Sequence, residues 1–129
     1  MERLTRNSYP GIFCAAVILL LTGLPGSSFS HIAKPILGLD RVLHFLMFTG
    51  FAYFALWGYR KPYAENGKAY RTKALWITLA IGTALGIITE AIQSIPALHR
   101  DCDVGDGIVD FLGCCVGVVF FYFFHPQKK

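Results

Sequence analysis

The sequence predicts an all-α integral membrane protein, built as a bundle of four transmembrane helices with both termini in the cytoplasm. Apolar residues make up 54% of the 129 residues and charged residues only 16%, well below the roughly 25% charged residues of soluble domains. The mean hydropathy is +0.49. The apolar residues form four separate runs, and this length suits a single domain over residues 1–129.

The four apolar runs predict helices at about residues 9–24, 39–59, 74–95 and 104–124. The last three reach the roughly 20 residues that a helix needs to cross about 30 Å of hydrocarbon. The first run is shorter, and the basic segment "MERLTR" precedes it. That pattern is also typical of a secretory signal peptide, and this alternative stays open. The other three helices keep the same orientation in either case.

The basic residues predict the orientation of the bundle. Loops rich in Lys and Arg stay on the cytoplasmic side of a membrane. With both termini inside, all but three of the 12 basic residues are cytoplasmic, the exceptions being Lys34, Arg41 and Arg100. The formal charge of +4 is spread between apolar runs and forms no basic patch, so it does not indicate a nucleic-acid partner.

Carboxylates lie inside the predicted third and fourth helices, near their external ends. Two series recur at spacings of three and four residues, which places each series on one helical face: Gly82, Gly86, Glu90 and Gln93, then Asp106, Asp110, Gly113 and Gly117. The glycines allow another helix to approach closely, so we predict that these faces pack against protein. At 1.5 Å per residue, Glu90 and Asp110 both lie about 9 Å from the external end.

The second predicted helix adds Asp40 and, one turn later, His44 at the same external end. A carboxylate near the centre of a membrane helix costs about 2.5–3.5 kcal/mol, so these groups require partners. Arg100 follows the third helix and offers a planar guanidinium. The acidic groups still outnumber the nearby arginines. This excess predicts protonated carboxyls or a bound cation such as Mg²⁺ between Asp106 and Asp110.

These residues predict a polar site that three helices share. We expect Glu90, Asp110, Asp106 and His44 to carry the chemistry, as acids, bases or a proton shuttle. Arg100, Gln93 and Asp40 are the expected substrate-binding residues. No spacing typical of a zinc site occurs, so no cofactor is predicted apart from the alternative of a divalent cation such as Mg²⁺. The alternative is that the polar groups only cap and join helices, as Asp40 does if it complements a helix dipole.

The chain resembles the VanZ-like family of small membrane proteins. The likeness is carried by "LTGLPGSS", "LDRVLHFLMF", "EAIQ", an Arg with an Asp six residues later, and "DGIVDFLGCCVG". It implies a multi-pass protein of the bacterial cytoplasmic membrane, acting at the cell envelope and linked to resistance to the glycopeptide teicoplanin. The family positions are Asp40, His44, Glu90, Gln93, Arg100, Asp106, Gly113 and Gly117. Asp110 departs from the family pattern, in which Asn is usual, and adds a charge.

Three functions remain open from the sequence. The first is a protein that binds or modifies a membrane lipid or a lipid-linked envelope precursor at the outer leaflet. The second is a small proton-coupled transporter, since carboxylates within membrane helices often mark proton pathways. The third is a structural partner in an envelope complex. The glycine faces suit packing within one chain or in a homo-oligomer equally well. The aromatic run "VVFFYFF" is expected to face lipid.

Overall fold

The structure is a computed structural model that describes residues 2–23, 39–95 and 104–126, with side chains for 7–23, 41–95 and 105–126. All secondary structure in these three ranges is helical. The helices are α1 (Glu2–Thr22), α2 (Leu39–Gly58), α3 (Arg60–Glu65), α4 (Lys68–Gln93) and α5 (Val104–Phe124).

The observed helix bounds agree with the prediction for α5 and nearly so for α2. Helix α4 begins at Lys68, earlier than the predicted residue 74. Lys and Arg are good helix formers, so the basic segment before the apolar run continues the helix. The same reason applies to α1, which begins within the basic N-terminal segment. The short helix α3 lies in a polar connection where the sequence analysis predicted no helix.

Two helices of the described ranges are long and apolar enough to cross a membrane, Lys68–Gln93 and Gly105–Phe124. The apolar helix Asn7–Thr22 is shorter. Large apolar side chains such as Trp76, Phe123 and Phe124 are exposed on the surface of the bundle, as expected where helices meet lipid. The protein is therefore all-helical and suited to a membrane, whereas four spans and cytoplasmic termini stay predictions.

Helix α2 is central, because it packs against α1, α4 and α5, and most extensively against α5. Two glycines of α5 create this close approach. A Cβ atom at Gly113 would lie 2.6 Å from the Phe45 carbonyl oxygen, and one at Gly117 would collide with the Thr49 carbonyl oxygen. The backbones of α2 and α5 are therefore in direct contact, as small residues permit between membrane helices.

Two glycines of α4 allow a second close contact, between α4 and α5. A Cβ atom at Gly82 would collide with the Cys114 sulfur, and one at Gly86 would lie 3.4 Å from Asp110 Cβ. The thiol of Cys114 therefore fills the space above Gly82. These contacts place the carboxyl-terminal half of α4 against the amino-terminal half of α5.

The bundle has two chemically different ends. The acidic end, defined by Glu90, Asp106 and Asp110, lies where α4 ends and α5 begins. The basic end, defined by Arg60, Lys61, Lys68 and Arg71, lies where α2 ends and α4 begins. The two ends are separated by the apolar core of the bundle.

At the basic end, the side chain of the buried Arg71 on α4 forms hydrogen bonds with the backbone of α3. Its Nε donates a hydrogen bond to the Tyr63 carbonyl oxygen at 2.8 Å, and its Nη2 donates to the Ala64 carbonyl oxygen at 3.2 Å. The Tyr63 ring packs edge-to-face on Phe121, with ring centroids 5.0 Å apart. Phe121 is fully buried, so the expectation that the aromatic run faces lipid is wrong at this residue. One residue in each turn of α5 must face the neighbouring helices.

Candidate functional site

The candidate site lies at the acidic end, where α2, α4 and α5 meet. His44 is on the first half of α2 and Asp110 on the first half of α5, while Glu90 and Gln93 are on the last turns of α4. His44 lies one turn before Phe48, and Asp110 lies one turn before Cys114, so each shares a face with a fully buried side chain. The helical spacing therefore carries both polar side chains into the bundle.

The central contact of the site joins His44 to Asp110. The His44 Nδ1 and Asp110 Oδ1 atoms are 2.9 Å apart, and each side chain is only 1% exposed. A carboxylate oxygen accepts hydrogen bonds, so the Nδ1 atom donates, and in the neutral ring the Nε2 atom keeps its lone pair. The Gln93 amide nitrogen lies 3.4 Å from that Nε2 atom. The contact fixes the ring and directs Nε2 toward α4.

Glu90 brings a third titratable group to the same place. One nitrogen of His44, one carboxylate oxygen of Glu90 and one of Asp110 all lie within 4.8 Å of one another. Glu90 follows Gly86 by one turn on the same face of α4, and Gly86 is the residue that faces Asp110. Three groups able to hold or transfer a proton therefore converge from three helices.

The second oxygen of Asp110 has a distinct environment. Within the part of the chain that the structure describes, Asp110 Oδ2 is buried and has no hydrogen-bond partner. It lies 3.5 Å from where a Cβ atom of Gly86 would be. The oxygen therefore points at α4, one turn before Glu90.

An ion pair flanks the buried groups. Arg41 Nε lies 3.5 Å from Asp106 Oδ1, and the side chain of Arg41 is 55% exposed whereas that of Asp106 is 8% exposed. In the sequence, Arg41 contributes only to the balance of charges, and it is not among the predicted site residues. Its position three residues before His44 was the available signal, since that spacing puts both on one face of α2.

The predicted site residues thus fall into three groups. His44, Glu90, Gln93 and Asp110 come together. Asp106 instead pairs with Arg41, and it does not belong to the close group of potential ligands. Arg100 and the side chain of Asp40 lie outside the described residues.

Comparison with known proteins relates this geometry to one family. The model of the VanZ/LLP1 family matches residues 11–125, which include every residue of the site. Neither the curated proteins nor the solved structures contain a match. Because the match extends from α1 beyond the end of α5, this chain belongs to the VanZ/LLP1 family.

Proposed function

We propose that this protein is a four-span membrane protein of the cell envelope that binds and acts on a phosphate-bearing lipid or lipid-linked precursor. The segregation of charge supports this orientation, because basic residues cluster at the end opposite the site and basic segments stay cytoplasmic. The acidic end then opens to the outer leaflet, where envelope precursors are processed.

The observation that carries the proposal is the buried His44–Asp110 pair with Glu90 beside it. Ionisable groups inside membrane helices are costly, and packing alone is served by neutral polar residues at lower cost. Asp110 holds the Nδ1 proton of His44 and so leaves Nε2 able to take up a proton. In this proposal His44 is the base, Asp110 positions it, and Glu90 is the second proton carrier.

Arg41 supplies a means of recognising the substrate. Its side chain is more than half exposed beside the site, and a planar guanidinium suits phosphate oxygens. Arg100 is expected to add a second one. Exposed apolar side chains on α4 and α5 near the level of the site, among them Ile87, Ile108 and Phe111, offer a surface along which acyl chains can lie.

The same charge distribution argues against the proton-transporter alternative. The parts of three helices that lie beyond the site contain no Asp, Glu, Lys, Arg or His, namely residues 45–59 at α2, 74–89 of α4 and 111–124 of α5. A proton pathway through the bundle needs titratable groups along its length. The acidic residues and the histidine of these helices gather at one end, which favours a local reaction or binding event.

The test compares His44→Gln and Glu90→Gln in a bacterial host whose teicoplanin tolerance depends on this protein. General acid–base catalysis contributes roughly 10²–10⁴-fold to rate, so we expect both variants to lose the tolerance while accumulating normally in the membrane. Glu65→Gln makes the same substitution at an exposed position of the basic end, and it should keep full tolerance.

Full tolerance in Glu90→Gln and His44→Gln at normal protein levels would remove the proposal. A parallel loss of protein and tolerance would instead favour the structural-partner alternative. The amount of each variant in the membrane, measured by immunoblot, and its thermal unfolding in detergent separate these two outcomes.

A further inference from the structure

We infer that His44, Glu90 and Asp110 form a binding site for one divalent transition-metal ion. This inference rests on the proposed function for the place where the substrate meets the protein, and in the loaded site it gives His44 and Glu90 the role of metal ligands in place of their role as proton carriers. The potential ligand atoms lie within 4.8 Å of one another. Zinc binds nitrogen and oxygen at about 2.0–2.2 Å, so its ligands lie roughly 3–4 Å apart, a distance that small side-chain rotations achieve here.

The second oxygen of Asp110 is an independent indication. One oxygen accepts from His44, while Oδ2 is buried, points at the α4 turn before Glu90 and has no hydrogen-bond partner among the described residues. A buried carboxylate oxygen without a partner loses its hydration and gains nothing in return. An ion between α4 and α5 would satisfy this oxygen.

The charges of the site also favour a cation. The buried Asp110 and the half-buried Glu90 bring two carboxylates close together, where their mutual repulsion is unfavourable. The neighbouring Arg41 is engaged with Asp106. A divalent ion balances both carboxylates of the cluster at one point.

The type of ligand indicates which ion binds. One imidazole with two carboxylates suits Zn²⁺ or Mn²⁺, whereas Mg²⁺ prefers oxygen ligands alone. Three protein ligands leave a coordination position for a phosphate oxygen of the proposed substrate. The assignment therefore differs from Mg²⁺ between Asp106 and Asp110, since Asp106 is in an ion pair with Arg41.

The ion and the His44–Asp110 hydrogen bond can use different atoms, since the bond joins Nδ1 to Oδ1 and leaves Nε2 and Oδ2 for the ion. A ligand nitrogen must be deprotonated, so binding of the ion releases protons and its affinity falls as the pH falls.

The experiment measures metal binding by the full chain in detergent. The protein is stripped with a chelator and titrated separately with Zn²⁺, Mn²⁺ and Mg²⁺, and bound metal per chain and thermal unfolding are measured. The chain has four cysteines, and thiolate ligands select softer ions such as Zn²⁺. Mn²⁺ is included because the cysteines are poor ligands for it, so its binding reports on the proposed site. We expect one Zn²⁺ or Mn²⁺ per chain, a raised unfolding temperature, and no comparable shift with Mg²⁺.

Two Asp→Asn variants of α5 provide the matched comparison. Asp110→Asn should weaken Zn²⁺ and Mn²⁺ binding at least tenfold, whereas Asp106→Asn, one turn away and outside the cluster, should bind as the wild type does. His44→Gln serves as a second test if Asp110→Asn does not fold. Absence of a bound ion in the wild type, equal losses in the Asp110 and Asp106 variants, or equal binding by Mg²⁺ would overturn the inference.

The metal inference and the proposed function fail in different ways. If the wild type binds no ion while His44→Gln and Glu90→Gln still abolish tolerance, the metal site is wrong and the proposed function stands. If the wild type binds one ion and His44→Gln loses the ion but keeps tolerance, the metal site stands and the proposed function is wrong.

Discussion

At the scale of single residues, buried polar groups of this protein differ in whether they have partners. His44 and Asp110 share a 2.9 Å hydrogen bond in the interior. The hydroxyl of Tyr63 at the basic end is also buried, but it has no partner among the described residues. The first case joins two helices through a polar contact, whereas the second leaves a hydroxyl whose lost hydration is not replaced.

Tyr63→Phe is therefore expected to leave the stability unchanged or to raise it by up to about 1 kcal/mol, because it removes only the hydroxyl that lacks a partner. Burial raises the pKa of Tyr63, although the Arg71 guanidinium opposes this, so the phenol stays protonated around neutral pH. The stability difference between wild type and variant should then be independent of pH in that range. Thermal unfolding in detergent at several pH values measures both effects.

Tyr59→Phe is the matched control, because the hydroxyl of Tyr59 shares a hydrogen bond with the Ser8 hydroxyl on α1. Its removal should lower stability by about 0.5–1.5 kcal/mol, the usual contribution of such a bond. A larger loss in Tyr63→Phe than in Tyr59→Phe would contradict this account of the basic end.

At the scale of helices, the α2–α5 contact depends on the glycines of α5. Gly113→Ala and Gly117→Ala are expected to destabilise the protein by about 1–3 kcal/mol, because each new methyl group meets a backbone carbonyl of α2. Both variants should also impair the function of the site, since His44 and Asp110 are attached to these two helices. Thermal unfolding and the tolerance assay give the two measurements.

Gly107→Ala lies on the same helix and tests whether replacing a glycine is harmful in itself. No atom of the described ranges 7–23, 41–95 and 105–126 lies within 4 Å of a Cβ atom at Gly107, and alanine favours a helix by roughly 0.5–1 kcal/mol over glycine. This variant should be as stable as the wild type or more stable. Equal destabilisation of all three alanine variants would show that the close contact between α2 and α5 is not the reason for the glycines at 113 and 117.

The sequence predicted helices better than it predicted contacts between them. The bounds of α5 follow from an apolar run with polar residues before it, and the spacing of Glu90 and Asp110 indicated their helical faces. Spacing within one helix does not reveal which neighbour a face meets. Hence only the structure reveals three features: the pairing of Arg41 with Asp106, the hydrogen bond of His44 to Asp110 and the burial of Phe121.

At the scale of the whole molecule, the separation of acidic and basic ends predicts the direction of insertion. A reporter inserted at Gly67, in the exposed turn before α4, should lie in the cytoplasm because the surrounding basic residues stay there. Green fluorescent protein should therefore fluoresce at this position, and alkaline phosphatase should be inactive. Active phosphatase at Gly67 would place the site on the cytoplasmic side and contradict the proposed access from the outer leaflet.

The fit of the Cys114 sulfur over Gly82 gives the protein a natural reporter of motion. The thiol is fully buried and lies closely against α4, one turn from Asp110 on the same face of α5. A separation of α4 and α5 that extends one turn beyond Asp110 also uncovers this sulfur. In a variant whose other cysteines are replaced, the rate at which a maleimide reacts with Cys114 therefore measures how often the two helices part.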